Sequence, residues 1–78
     1  MASLQEVKEV VGATFGLDPA AIPDDAAAGS LDGWDSMGHL ELMLALEARW
    51  QLRIAPDRML ALHTLEDIAK HLQSIRAS

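Results

Sequence analysis

The sequence contains no cysteine, no tyrosine and a single phenylalanine among its 78 residues. The lack of cysteine excludes a disulfide, a thiolate nucleophile and a cysteine metal site, and it fits a reducing compartment, here expected to be the cytoplasm. No run of about 18 apolar residues occurs, so no membrane span is predicted. Positive charge is also scarce: six Lys and Arg against twelve Asp and Glu give a net charge of -6. This balance disfavours nucleic acid as a partner and favours proteins with basic surfaces.

Half of the residues are hydrophobic, and a chain of this length has room for one core. We therefore interpret residues 1–78 as one domain and expect a monomer. Helical periodicity dominates and no segment has clear strand character. The predicted fold class is all-α: a small four-helix bundle with three main helices, a short third helix and a long loop after helix one.

Local signals set the helix boundaries. The Ser3 hydroxyl and Glu6 carboxylate form a capping box, which predicts a first helix over about residues 4–15. The following loop, residues 17–34, is rich in proline, glycine and aspartate. Three apolar side chains are expected to anchor this loop to the core: Leu17, Ile22 and Leu31.

The remaining helices are predicted in the same way. The second runs from about residue 36 to Trp50, the short third begins at Pro56 and ends near Ala61, and Thr64 caps the last. On that last helix, Glu66 and Lys70 are spaced for an i,i+4 ion pair. We also expect His71 to pair with Asp67.

The second helix is apolar on two faces. One face carries His39, Leu42, Met43, Leu46 and Trp50, and the opposite face carries Met37, Leu40 and Leu44, flanked by Glu41 and Glu47. A surface helix needs only one apolar stripe to join a core. The second stripe is therefore either buried as well or available to a partner.

Ser36 stands where the acidic loop becomes this helix. On local pattern alone, a serine at that position is more often a helix cap than a functional site. Asp35 can supply the cap instead, which would leave the Ser36 hydroxyl exposed. A phosphate attached there would lie at the positive end of the helix.

The segment from Gly33 to Met37, GWDSM, resembles the G-x-D-S-[LM] signature of the acyl carrier protein family. The likeness continues through the second helix, the entry to the third at Pro56 and the start of the fourth at Thr64, so it covers nearly the whole chain. It implies an acyl-carrier type of bundle with 4'-phosphopantetheine esterified to Ser36. Coenzyme A would be the donor and a separate phosphopantetheinyl transferase the catalyst, so the resemblance implies a carrier rather than an enzyme.

The resemblance also implies a docking surface for partner enzymes. These would be an acyl- or aminoacyl-loading ligase, synthases and transferases with basic surfaces. The positions that match the family's docking surface are Asp35, Met37, Leu40, Glu41, Leu44 and Glu47.

The chain departs from the commonest family pattern at four positions: Trp34, Gly38, His39 and Arg49. A glycine after Asp-Ser-[aliphatic] resembles carriers that load an amino acid, such as D-alanyl carrier proteins. The cargo that the family resemblance implies first is an acyl group of fatty-acid, polyketide or related biosynthesis. The alternative is an aminoacyl or peptidyl group of the D-alanyl or non-ribosomal type.

Two other functions compete with the carrier. An enzyme would use Ser36 as nucleophile and His39 as base, but no orienting third group or oxyanion hole is recognisable. A cofactor-free interaction domain would use only the stripe of Met37, Leu40 and Leu44. No metal site is predicted, because no two histidines have i,i+4 spacing and no chelating motif occurs.

Overall fold

The computed structural model describes residues 3–77, with side chains through residue 75. It contains four α-helices: α1 (Leu4–Phe15), α2 (Ser36–Trp50), α3 (Pro56–Ala61) and α4 (Leu65–Ala77). The predicted all-α class and the predicted helix order are confirmed. Within the described residues, no helix has the length and apolar character that crossing a membrane requires.

The helix ends follow from local hydrogen bonds. The Glu6 N–H donates to the Ser3 hydroxyl at 3.2 Å and the Ser3 N–H donates to the Glu6 carboxylate at 3.0 Å, which is the predicted capping box. Gly16 ends α1 in the left-handed region at φ 71°, where glycine has no Cβ to clash. The Asp67 N–H donates to the Thr64 hydroxyl at 3.0 Å and so caps α4.

One apolar core joins α1, α2, α4 and the loops. Its fully buried members include Val7 and Val11 on α1, Leu42 and Leu46 on α2, and Leu65 on α4. The described residues include no buried polar or charged side chain. The core face predicted for α2 is thus confirmed for its central leucines.

The long loop between α1 and α2 is anchored more firmly than the sequence indicated. It contains a 3-10 turn at Pro19–Ala21. Ile22 is buried as predicted, and Ala26 and Trp34 are buried as well, although the sequence did not single them out as anchors. Leu17 and Leu31, the other two predicted anchors, are half-buried against the core.

The same loop is tied to the start of α4 by backbone hydrogen bonds. The Ala28 N–H donates to the His63 carbonyl at 2.8 Å, and the Leu65 N–H donates to the Ala26 carbonyl at 3.1 Å. These bonds surround an isolated antiparallel bridge between Ala27 and Thr64. The middle of the loop is therefore attached to the start of α4 before the chain reaches α2.

Two predicted polar pairs are wrong. Among the described side chains the one ion pair joins Lys8 to Asp24, so Glu66 and Lys70 do not pair. Exposed i,i+4 pairs contribute little, and solvent competes for both groups. His71 contacts the Arg58 guanidinium at 3.5 Å instead of Asp67, because α3 brings that arginine across to α4.

Candidate functional site

Ser36 is the first residue of α2 and its side chain is exposed. The preceding residue, Asp35, caps the helix: its carboxylate accepts the Gly38 N–H at 2.8 Å, and its backbone carbonyl accepts the His39 N–H at 2.7 Å. No hydrogen bond involves the Ser36 hydroxyl within the part of the chain that the structure describes. The cap and the candidate site are therefore separate residues.

Trp34 anchors the segment before Ser36 in the core. The Trp34 indole is fully buried and stacks on the Phe15 ring, with 6.1 Å between ring centroids. The Gly29 N–H donates to the Trp34 carbonyl at 2.7 Å. Gly33 adopts φ 92°, a backbone conformation that residues with a Cβ rarely adopt. Together these contacts turn the chain so that Trp34 points inward and Ser36 points outward.

Gly38 packs directly on this turn. A Cβ at Gly38 would lie 1.7 Å from the Gly33 carbonyl oxygen and 2.9 Å from the Phe15 ring. The first turn of α2 can approach the loop this closely only because Gly38 has no side chain. Packing thus accounts for the glycine without reference to the cargo.

His39 links three parts of the site. The indole N–H of Trp34 donates to His39 Nδ1 at 2.9 Å, and His39 Nε2 lies 2.6 Å from the Met59 carbonyl oxygen on α3. An indole can only donate, so Nδ1 is the acceptor and Nε2 carries the proton. Both ring nitrogens are engaged, which leaves none to take a proton from Ser36. The enzyme hypothesis therefore lacks its base in this arrangement.

Two open grooves border Ser36. One has a volume of about 450 Å³ and lies toward Gly29 and His63, and the other has a volume of about 290 Å³ and lies toward Pro56. Both are lined by Ser36, His39 and Leu60. A group attached to the serine would therefore meet a partly apolar surface on either side.

The second stripe of α2 faces solvent. Met37 is 71% exposed, Leu40 48% and Leu44 53%, so the stripe does not join the core. Leu60 on α3 is 80% exposed and extends the apolar surface next to Ser36. Leu60 could not be assigned to this surface from the sequence, because a six-residue helix has too few turns to define a face.

The acidic members of the predicted docking surface differ in their surroundings. Asp35 and Glu41 are exposed. Glu47 is half-buried, and its carboxylate accepts the Ile54 N–H at 2.8 Å. Glu47 thus secures the segment between α2 and α3, whatever else it contacts. The described residues include no cluster of three or more His, Asp or Glu side chains suited to a metal ion.

Comparison with known proteins identifies similar chains. Residues 5–72 match the family model described as "Phosphopantetheine attachment site". The chain is 31% identical over 75 residues to an acyl carrier protein of Sulfurovum sp. (strain NBC37-1), a match that covers 96% of this chain and 100% of that protein. It is 34% identical over 70 residues to an acyl carrier protein of Streptomyces coelicolor, covering 88% and 76%. A third, from Bdellovibrio bacteriovorus, is 30% identical over 73 residues and 94% of each chain.

Proposed function

Because the chain belongs to the acyl carrier proteins, a family defined by a phosphopantetheine attachment site, we propose that Ser36 is the residue that holds its 4'-phosphopantetheine. The observation that carries this proposal is the exposed Ser36 hydroxyl. Because the Asp35 carboxylate caps α2, the Ser36 hydroxyl is not needed as the cap. A hydroxyl that makes no hydrogen bond to the protein is free to enter the active site of a transferase.

The surroundings of Ser36 fit a phosphate ester. The N-terminus of α2 carries partial positive charge, which stabilises an attached phosphate by roughly 0.3–1 kcal/mol at an exposed site. The two grooves beside the serine offer apolar contact to the rest of the arm. When bound, the cofactor supplies a terminal thiol that carries acyl groups as thioesters. The protein itself has no cysteine to compete for them.

The role proposed for residues 1–78 is that of a single carrier domain, without catalysis of its own. It presents acyl groups of fatty-acid, polyketide or related biosynthesis to loading enzymes and synthases in the cytoplasm. The exposed stripe of Met37, Leu40 and Leu44 supports docking, because apolar contact supplies affinity. The exposed carboxylates of Asp35 and Glu41 would steer basic partner surfaces toward it.

The test is to incubate the protein with coenzyme A, Mg²⁺ and a broad-specificity phosphopantetheinyl transferase, and then to measure the intact mass. The wild-type chain should gain one phosphopantetheine, and Ser36→Ala should gain none. Ser74→Ala, which removes an exposed hydroxyl from α4, is the matched control and should be modified like the wild type. An unmodified wild-type protein, or a modified Ser36→Ala, would overturn the proposal.

A further inference from the structure

A hydrogen bond between His39 and Met59 joins α2 to α3 beside Ser36. Met59 lies in the last turn of α3, where backbone carbonyls have no partner within the helix. The His39 Nε2–H satisfies this carbonyl at 2.6 Å. The Trp34 indole N–H donates to the other imidazole nitrogen, Nδ1, at 2.9 Å, and the planes of the two rings differ by only 12°.

Little else in α3 itself holds this helix in place. None of its residues is fully buried, and Ala55 provides no side-chain cap at its start. Met59 is only half-buried, and Arg58 reaches α4 through the 3.5 Å contact with His71. Buried Ile54 and Leu62 anchor the chain on either side of α3, and the bond from His39 attaches α3 itself to α2 beside Ser36.

We propose that His39 fastens α3 to α2 and thereby keeps a chain carried on Ser36 in the surface grooves instead of between the two helices. The location of the carried chain rests on the proposed function of Ser36, whereas the fastening of α3 does not. The groove toward Pro56 is lined by Met43 and Met59, and Met43 is fully buried. A carried chain that enters the core must separate α2 from α3, and the His39–Met59 bond holds these two helices together.

This arrangement selects a class of cargo. A long apolar chain gains stability mainly by leaving water, and in an open groove it leaves water only in part. A short or polar acyl group has little to gain from the core. The structure therefore suits short or polar acyl groups, which remain accessible to partner enzymes.

The fastening is tested on the unmodified protein by amide hydrogen exchange. The reporters are the Met59 and Leu62 amides, which donate to the Ala55 and Arg58 carbonyls at 3.0 Å. In His39→Phe, which keeps an aromatic ring but has no hydrogen-bonding nitrogen, these amides should exchange about fivefold faster, as expected for loss of one hydrogen bond. Amides in the middle of α1 serve as the internal reference. Unchanged exchange at α3 would overturn the proposal.

Two further variants keep this test decisive. Glu41→Gln changes an exposed residue of α2 that makes no hydrogen bond or ion pair with α3 among the described contacts, so it should leave α3 exchange unchanged. If His39→Phe fails to fold because the buried indole N–H loses its acceptor, Trp34→Phe/His39→Phe removes both polar groups. The double variant should fold and still show faster exchange at α3.

The cargo is tested on protein loaded with acetyl- or octanoyl-phosphopantetheine, by measuring cleavage of the thioester by hydroxylamine. In the wild type both thioesters should be cleaved at matching rates. In His39→Phe the octanoyl thioester should be cleaved more slowly than the acetyl one, because the space between α2 and α3 then admits the longer chain. Protection of the octanoyl thioester in the wild type would overturn the cargo inference. Failure of loading would count against Ser36 alone, since exchange at α3 is measured without it.

Discussion

Gly38 lies so close to Gly33 that a Cβ on Gly38 would be 1.7 Å from the Gly33 carbonyl oxygen. The contact joins the first turn of α2 to the loop that precedes it, directly beside Ser36. Because the obstructing atom belongs to the backbone, no side-chain rotation can relieve the clash. The orientation of Ser36 therefore depends on a glycine two residues further along the helix.

Gly38→Ala should destabilise the protein by about 2–3 kcal/mol, the upper part of the range for overpacking. In an unconstrained helix the same change would stabilise by up to about 1 kcal/mol, because alanine is the better helix former. Urea denaturation followed by circular dichroism measures the difference. Glu41→Ala, at an exposed position of the same helix, is the control and should stay within about 0.5 kcal/mol of the wild type. A stabilised Gly38→Ala would show that the loop can move away from α2.

Asp35 and Ser36 should respond differently to substitution by alanine. Asp35→Ala removes the acceptor for the Gly38 N–H and should cost about 1 kcal/mol of stability, as for other N-caps. Ser36→Ala removes a hydroxyl without a hydrogen bond to the described residues and should change stability by less than about 0.5 kcal/mol. The same denaturation experiment measures both. If Ser36→Ala were the more destabilising of the two, the serine would be the cap and the exposed hydroxyl would not be free.

Helix boundaries could be predicted from the sequence because their signals are local. Ser3 and Glu6 are three residues apart and Asp35 is three residues before Gly38, so a reader of the sequence can pair them. The long loop could not be predicted in the same way. Its hydrogen bonds reach from Ala26 to Leu65 and from Ala28 to His63, and such pairings depend on how the helices pack.

Trp34 and His39 illustrate the same limit within the site. Both could be recognised as departures from the family pattern, and neither could be assigned a contact from sequence alone. Their hydrogen bond spans five residues, but it forms because Trp34 is buried under the loop and His39 also reaches the Met59 carbonyl on α3. Helical spacing could predict that Met37, Leu40 and Leu44 share one face of α2, but spacing alone left open whether that face was buried or exposed.

The docking surface predicts opposite outcomes for two leucines of α2. Leu44→Arg changes a side chain that is 53% exposed, whereas Leu42→Arg places a charge in a fully buried position. Leu44→Arg should keep the helical content and thermal stability of the wild type and weaken binding to partner enzymes, because it puts positive charge on the surface proposed to dock basic proteins. Leu42→Arg should unfold the domain, since an unpaired buried charge is strongly unfavourable. Circular dichroism measures the helical content and thermal stability of both variants. Titration calorimetry of the phosphopantetheine-loaded carrier with a partner enzyme measures binding.

Loss of structure in Leu44→Arg would mean that the two stripes are assigned to the wrong faces. Unchanged affinity in a folded Leu44→Arg would remove this leucine from the docking surface. Leu44→Ala is the matched control, because it removes apolar area without adding charge. It should weaken binding less than Leu44→Arg.

Glu47 should act on stability as well as on partners. Glu47→Ala removes the acceptor for the Ile54 N–H and should cost about 1 kcal/mol, the typical net contribution of a hydrogen bond. Glu47→Gln keeps an oxygen acceptor and should recover most of that loss while removing the charge. Urea denaturation separates the two variants. If Glu47→Ala is as stable as the wild type, the bond to Ile54 does not secure the segment before α3.

The pH dependence of stability should contain a contribution from His71. Partial burial and the nearby Arg58 guanidinium lower the pKa of His71 below its ordinary value, so the unfolded chain binds this proton more readily than the folded one. Stability should therefore fall as pH drops through about 6.5 and level off below the pKa of the folded state. Asp67 and Lys70 are the other charged groups that line the surface groove beside His71 and Arg58. The measurement is the melting temperature at a series of pH values.

His71→Gln should flatten that part of the profile, because it removes the titrating group. Arg58→Gln should flatten it less, since burial is the larger cause of the lowered pKa and remains. His63→Gln changes the number of histidines equally but lies on the exposed segment before α4, so it controls for composition. A profile that keeps its slope near neutral pH in His71→Gln would assign the proton uptake to another group, and the contact between α3 and α4 would then not depend on the charge of His71.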